Sequence, residues 1–151
     1  MVLKDKIQID RPPVLVWRHL RSPAQIKEWD PKIKAVVPVS WGEPTEGYRY
    51  RARIKINGRE GNFLAEFLEY QAPVKLLVHL TGGDRPVKGY IQEIYELTEN
   101  TKGTLLRYRL EVFNSCGHIF SNLLTLFMHY TFGLFSRGKH LRALKALSET
   151  K

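Results

Sequence analysis

This chain contains very little cysteine, and its N-terminal residues do not form an apolar segment. Cys116 is the single cysteine among 151 residues, so no intramolecular disulfide can form and a reducing compartment is the default expectation. We interpret Cys116 as a small buried hydrophobic residue. The opening residues, MVLKDKIQID, lack the apolar stretch of a signal peptide. Together these absences predict a cytoplasmic protein.

Recognisable catalytic and cofactor motifs are also missing. The five histidines are scattered, with no partner cysteine and no converging carboxylates at metal-ligand spacing. No G-x-S-x-G, P-loop or dinucleotide-binding glycine pattern occurs. The sequence therefore predicts no metal site and no cofactor, and it leaves open whether the protein is an enzyme.

Acidic residues are outnumbered by basic ones, 15 against 24, which gives a formal net charge of +9 at pH 7. Such an excess permits contact with nucleic acid or with an anionic membrane. Its densest stretch is a strand pattern whose aromatic residues face away from the charges, so no stacking platform for bases accompanies them. That stretch comprises Arg49, Arg51, Arg53 and Lys55. We expect no nucleic-acid binding, and membrane contact that is peripheral at most.

Residues 112–136 contain no charged side chain. The run exceeds the ~20 residues that span a bilayer, but polar residues such as His118 and His129 are costly in hydrocarbon. We interpret it as part of a helix, from about Ile119 to Ser148, inside a globular domain. At ~100° per residue, one side of this helix would face a sheet. That side includes Phe120, Leu123, Phe127 and Tyr130.

The same helix has a second apolar side, which consists of Leu124, Met128, Phe132 and Phe135. Burial of each such side chain stabilises a structure by roughly 1.5–3 kcal/mol, so we expect this side to be covered. Three covers remain open: the short helices and loops of the same chain, a second copy in a homodimer, or a membrane surface.

Periodicity predicts a sheet that is preceded by one strand and two short helices. The first strand runs from about Lys4 to Asp10; Pro13 starts one helix, and Ser22 caps another that ends at Trp29. Six further strands are predicted at residues 33–39, 48–56, 59–67, 74–80, 87–97 and 104–113. In the first of these six, Ile33, Ala35, Val37 and Val39 alternate with mostly polar neighbours. Short turns between consecutive strands favour antiparallel pairing, with one face left for the final helix to cover.

One strand pairing can be predicted in detail from the segment GYRYRARIKINGREGNFLAEF. Asn57-Gly58 is a strong two-residue hairpin turn, which sets Ile56 opposite Arg59. Counting outward gives the pairs Lys55–Glu60 and Arg49–Glu66 on the outer face, and Ala52–Phe63, Tyr50–Ala65 and Tyr48–Phe67 on the inner face. Opposite charges outside and matched sizes inside support this register.

Glu93 interrupts an apolar strand face. In VKGYIQEIYEL it shares a face with Val87, Ile91, Tyr95 and Leu97. If that face points inward, burial raises the pKa of the carboxyl group, as a general acid or base requires, or the carboxylate binds a polar end of a ligand. The alternative is a bulge, or a position at a cavity mouth beside a tyrosine or arginine partner.

The opening stretch IQIDRPPVLVWRHLRSPAQIKEWDP resembles the start of the START-like (SRPBCC) superfamily, which includes polyketide cyclase/dehydrase and birch-pollen-allergen proteins. Further similarities are Gly47 at the start of a strand, Glu69 to Pro73 before the fifth strand, Gly103-Thr104 at the start of the last strand, and LRALKALSE near the end. The resemblance covers nearly the whole chain, so residues 1–151 are expected to form a single domain. It implies an α+β helix-grip fold: a curved antiparallel sheet of about seven strands, two short helices after the first strand, and a long C-terminal helix over a hydrophobic cavity.

The resemblance also implies function, because members of this superfamily bind lipids, sterols or polyketides and some catalyse cyclisation or dehydration. We expect this protein to bind a hydrophobic small molecule that is lipid-, polyketide- or isoprenoid-like. One alternative is a cyclase or dehydratase in which Glu93, a tyrosine or a histidine moves a proton; another is a homodimeric interaction module without a ligand. The expected cavity residues are Tyr48, Tyr50, Phe63, Phe67, Ile91, Glu93, Tyr95, Phe120, Leu123, Phe127 and Tyr130.

Overall fold

The computed structural model describes residues 2–56, 59–82, 89–114 and 139–150. Within them the elements follow the predicted order of one strand, two short helices, six strands and a final helix. They are β1 (Val2–Ile9), α1 (Pro13–Trp17), α2 (Pro23–Trp29), β2 (Ile33–Pro38), β3 (Arg49–Ile56), β4 (Arg59–Gln71), β5 (Lys75–Gly82), β6 (Gly89–Asn100), β7 (Gly103–Asn114) and α3 (Lys139–Glu149). The predicted turn at Asn57-Gly58, Cys116 and the predicted helical residues 119–138 lie outside the described residues.

The sheet is antiparallel throughout, in the order β1-β7-β6-β5-β4-β3-β2. Consecutive strands lie side by side from β2 to β7, and β1 closes the order by pairing with β7. The helix α3 packs against β1 and both short helices. The expected α+β helix-grip fold is therefore confirmed.

Proline and serine define where the short helices begin. Pro13 and Pro23 lie in the first helical turn, where an N–H has no intrahelical partner to lose. Ser22 caps α2 as predicted, because its hydroxyl accepts a hydrogen bond from the Gln25 N–H at 3.2 Å. The helix delivers Trp29 to the core, where the indole is buried.

The predicted hairpin register is confirmed. The observed pairs include Lys55–Glu60, Arg49–Glu66, Ala52–Phe63 and Tyr50–Ala65. Arg49 Nε lies 2.6 Å from Glu66 Oε1, so the outer pair is also an ion pair. Tyr48 lies just before β3, and its carbonyl accepts the Phe67 N–H at 2.9 Å, which extends the predicted register by one more pair.

The inward face of β2 differs from the one that the alternation predicts. The register shifts between Ile33 and Ala35, and an extra residue in one strand exchanges the faces of everything beyond it. Val36 consequently packs against the core, whereas Val37 is 58% exposed and Val39 is 49% exposed. Simple alternation would place Val37 and Val39 on the same face as Ile33, and the bulge moves them to the opposite face.

Strong curvature brings two distant strands of the sheet together. In a flat sheet β2 and β6 would lie about 19 Å apart, since three strands separate them. Instead Lys32, just before β2, reaches across the concave face until its Nζ lies 3.5 Å from Glu93 Oε1 on β6. The core occupies this concave face and includes Leu141 and Leu144 of α3. Among the described residues, no helix is both long enough and apolar enough to cross a membrane.

Candidate functional site

Glu93 lies on the concave face of β6, as one reading of the sequence predicts. Its neighbours on that face, Ile91, Tyr95 and Leu97, are buried, and Glu93 itself is only 5% exposed. The pairing of β6 with both adjacent strands continues through Glu93 without a shift, so the strand has no bulge there. The carboxylate therefore lies inside the core because the ordinary two-residue period places it there.

Tyr95 and Lys32 contact the Glu93 carboxylate and hold it in place. The Tyr95 hydroxyl donates a hydrogen bond to Glu93 Oε2 at 2.8 Å. Lys32 Nζ lies 3.5 Å from Glu93 Oε1 and also forms an ion pair with Asp30 Oδ2. We call these four residues, Asp30, Lys32, Glu93 and Tyr95, the Glu93 cluster. It contains two carboxylates and one ammonium group, so a single negative charge remains when all three are ionised.

Electrostatics keep the two donors of the cluster protonated. Burial on its own lowers the pKa of Lys32, but the carboxylates of Asp30 and Glu93 together outweigh it and raise that pKa above its ordinary value of 10.5. Burial, followed by the negative charge of Glu93, raises the pKa of Tyr95 well above its ordinary value of 10.0. At neutral pH the cluster thus contains a fixed ammonium group and a fixed hydroxyl donor.

Two further polar residues, Tyr108 and His140, extend the cluster toward α3. The Tyr108 ring lies 5.1 Å from the Tyr95 ring and 4.6 Å from the His140 ring, and His140 stacks on Trp29 at 6.4 Å. His140 is 2% exposed, and neither of its ring nitrogens has a hydrogen-bond partner in the part of the chain that is described. Burial, helped by the nearby charge of Lys32, lowers the pKa of His140 to about 4, so the imidazole is neutral at pH 7.

Apolar walls and tyrosines enclose the Glu93 cluster. A cavity of about 20 Å³ adjoins the cluster and has room for about one water molecule. Its walls are formed by Ile26, Lys32, Ile33, Tyr50, Ala52, Ile54, Val78, Leu80, Glu93 and Tyr95. An aromatic group adjoins these walls: the Tyr50 ring lies 5.6 Å from the Phe67 ring and 6.4 Å from the Tyr48 ring.

The structure brings together those expected cavity residues that it describes. Buried on the concave face are Tyr48, Tyr50, Phe63, Phe67, Ile91, Glu93 and Tyr95. Of these, Tyr50, Glu93 and Tyr95 line the cavity beside the cluster. Outside the described residues lie Phe120, Leu123, Phe127 and Tyr130, together with the proposed dimer residues Leu124, Met128, Phe132 and Phe135.

Sequence reasoning missed Asp30, Lys32 and His140. Asp30 reads as the end of a helix, and a lysine next to it is most simply interpreted as solvated, so nothing in the pattern marks either as buried. His140 did carry a signal, because it lies one turn before Leu144 on the stripe that α3 buries. Within residues 2–56, 59–82, 89–114 and 139–150, no group of three or more histidine, cysteine, aspartate or glutamate side chains is arranged to hold a metal ion.

Nearly the whole chain matches the sequence model of a protein family. A family model described as polyketide cyclase / dehydrase and lipid transport matches residues 2–149. No curated protein sequence matches the chain at a significant level.

Solved structures share the fold at low sequence identity. The Zhui aromatase/cyclase from Streptomyces sp. R1128 has a TM-score of 0.76 at 11% identity, over 99% of this chain and 93% of that chain. The protein TTHA0849 from Thermus thermophilus has a TM-score of 0.73 at 16% identity, over 100% of both chains. A START superfamily protein from Mycobacterium smegmatis has a TM-score of 0.72 at 16% identity, over 98% of this chain and 97% of that chain. At such identities the likeness shows the fold alone.

Proposed function

Because the chain belongs to the polyketide cyclase / dehydrase and lipid transport family of the START-like superfamily, we propose that it binds an apolar small molecule against the concave face of its sheet. A polar group of that molecule is directed at the Glu93 cluster. One observation carries the proposal: an ionisable carboxylate is buried in an otherwise apolar wall, and side chains from two separate elements fix its orientation.

The charge balance of the cluster indicates which polar group the ligand presents. Two carboxylates share one ammonium group, so acceptor sites on Asp30 and Glu93 exceed the donors that Lys32 and Tyr95 supply. A buried carboxylate is stabilised by each further donor that reaches it. A ligand hydroxyl or amide N–H supplies such a donor, whereas a carboxylate on the ligand would be repelled. The proposed ligand is thus an apolar molecule that presents a hydroxyl or an amide N–H to the cluster and carries no carboxylate.

Apolar contact supplies most of the affinity in this proposal. Each 100 Å² of ligand surface removed from water contributes about 2.5 kcal/mol before the cost of association. The aromatic side chains of Tyr48, Tyr50 and Phe67 offer such surface beside the cluster. The expected contribution of Phe120, Leu123, Phe127 and Tyr130 remains a prediction.

Native mass spectrometry of the gently purified protein, followed by analysis of the denatured extract, tests the proposal first. A bound apolar molecule of defined mass supports it and identifies the ligand for titration. Glu93→Gln is then expected to lower the binding affinity for that ligand about tenfold to hundredfold, because a hydrogen bond to a charged acceptor is lost. Glu96→Gln is the matched control, since Glu96 is exposed on the outer face of the same strand. Equal affinity in both variants would remove the cluster from the binding site.

Catalysis of cyclisation or dehydration is the second candidate, because the Glu93 carboxylate lies beside the Tyr95 hydroxyl and the Lys32 ammonium. General acid–base catalysis is most effective when the pKa of each group lies near the working pH. Both donors have pKa values raised above their ordinary ones, so they retain their protons and act better as binding groups. Binding is therefore the better supported role. Catalysis would be favoured instead if the wild type converts a hydroxylated ligand to a product, and if Tyr95→Phe abolishes this turnover while it binds the ligand with unchanged affinity.

A further inference from the structure

Three large apolar side chains are exposed at the β2 edge of the sheet. Val37 is 58% exposed, Val39 is 49% exposed, and Trp41, in the loop after β2, is 98% exposed. An isolated exposed valine needs no explanation, but tryptophan is usually well buried, because its ring offers a large apolar area. Val37 and Val39 lie two residues apart at the end of this strand, and Trp41 follows them by two residues.

A row of arginines borders this apolar row. Val37 pairs with Arg51 across β2 and β3, and the Val39 N–H donates to the Arg49 carbonyl at 3.0 Å. Because opposed residues of an antiparallel pair project from the same face, the valines and the arginines share the outer surface. Arg53 continues the row one step further along β3.

We call this surface, made of Val37, Val39, Trp41, Arg49, Arg51 and Arg53, the Trp41 face. Glu66 neutralises Arg49. Arg51 and Arg53 are exposed, and neither has an ion-pair partner among the residues that the structure describes. The face thus offers two guanidinium groups on β3 and, in the loop that follows the adjacent strand β2, an indole that is 98% exposed.

We propose that the Trp41 face docks on an anionic lipid bilayer. Lipid headgroups present negative charge to the arginines, and the interfacial zone just below them accommodates valine and the amphipathic indole. The net charge of +9 attracts the whole molecule to the same surface. This docking is independent of ligand binding on the concave face, which is the opposite side of the sheet.

Two other occupants fit the Trp41 face less well. Single-stranded nucleic acid needs a series of aromatic rings for its bases, whereas this face has one ring beside two aliphatic side chains. A second copy packed face to face on this surface would bring Arg51 and Arg53 of the two copies together, and neither arginine has an ion-pair partner among the described residues. Charge and apolar character are both matched by an anionic bilayer.

Tryptophan fluorescence can follow docking at this face directly. Trp17 and Trp29 are buried, so Trp41 is the exposed one of the three tryptophans. Adding phosphatidylglycerol vesicles at low ionic strength is expected to shift the emission to the blue and to protect it from iodide. Phosphatidylcholine vesicles, or high salt, are expected to reduce both effects.

Charge-matched variants test whether the Trp41 face is responsible. The double variant Arg51→Glu/Arg53→Glu is expected to weaken vesicle binding by at least about thirtyfold, since each cation near an anionic surface contributes about fivefold. The control Lys4→Glu/Lys6→Glu makes the same change in charge on β1, at the opposite edge of the sheet, and is expected to bind much more tightly than the first variant. Trp41→Ala is expected to weaken binding about tenfold or more.

Several outcomes would overturn the proposal. They are vesicle binding that leaves the Trp41 emission unchanged, equal loss of binding in both double variants, and no binding to phosphatidylglycerol at all. Tighter binding to a mixed-sequence oligonucleotide than to vesicles would assign the face to nucleic acid. A dimer that Trp41→Ala dissociates, without vesicle binding, would assign it to a second copy. Ligand content measured on the same samples reports on the concave face separately.

Discussion

Acid is expected to unfold this protein partly through His140, and the size of the effect follows from its surroundings. The imidazole is buried between Trp29 and Tyr108, with the charges of Lys32 and Asp30 nearby. Its pKa is about 4 in the folded protein, against an ordinary value of 6.5. Below pH 6.5 the unfolded chain gains a proton at this position that the folded chain does not. The contribution of His140 to stability is therefore complete above about pH 6.5 and is lost as the pH falls to about 4.

The magnitude of this loss is about 3 kcal/mol, since each unit of pKa difference corresponds to about 1.4 kcal/mol. Urea unfolding of the wild type and of His140→Phe can be measured between pH 7 and pH 4. The carboxylates titrate in both proteins, so the difference between the two gives the contribution of His140. The free energy of unfolding of the variant is expected to fall by about 3 kcal/mol less than that of the wild type over this range. Phenylalanine keeps the ring contacts and removes two buried nitrogens that have no hydrogen-bond partner among the described residues, so the variant should be at least as stable at pH 7. Parallel curves for the two proteins would refute the reasoning.

Two further substitutions test other parts of the fold by chemical denaturation. Lys32→Met is expected to lower the free energy of unfolding by about 3–5 kcal/mol, because it leaves Asp30 and Glu93 buried without a cation; the exposed neighbour in Lys34→Met should change it by less than about 0.5 kcal/mol. A stable Lys32→Met protein would mean that the carboxylates take up protons at little cost. Gly103→Ala is expected to lower the free energy of unfolding by well over about 2 kcal/mol. Its φ is +123°, and a Cβ there would lie 2.3 Å from the Ile9 carbonyl oxygen. Gly42→Ala is the control, because Gly42 also has a positive φ but open space around its Cβ position. Equal losses in the two glycine variants would argue against the close approach.

Glu93 shows how far the sequence alone could go toward the site. It stood out because a charged residue interrupted an apolar face, and that face did prove to point inward. Lys32 could not be found in this way, because its burial depends on the curvature of the sheet, which joins residues far apart in the chain. The alternation of apolar and polar residues shows which side chains share a face of one strand. It contains no information about how several strands bend together.

The same limit explains why the sequence predicts the register of β3 and β4 but not the bulge in β2. The hairpin register followed from a local turn and from pairs of residues that could be counted outward from it. The bulge after Ile33 had no comparable local signal, so the alternation could not show that Val37 and Val39 lie on the face opposite to Ile33. The Trp41 face therefore becomes apparent only in the structure, where the valines point outward beside the arginines.

The ion pair that Lys32 makes across the concave face also constrains how this protein can diverge. A lineage that loses the acid at position 93 leaves the lysine with one anionic partner in place of two, and a lineage that loses the lysine keeps two facing carboxylates in the core. Positions 30, 32 and 93 are therefore expected to be replaced together, by compensating substitutions, rather than one at a time. Relatives that retain all three should form a subgroup with a shared preference for ligands, and this inheritance would be visible in an alignment of the family before any ligand is known.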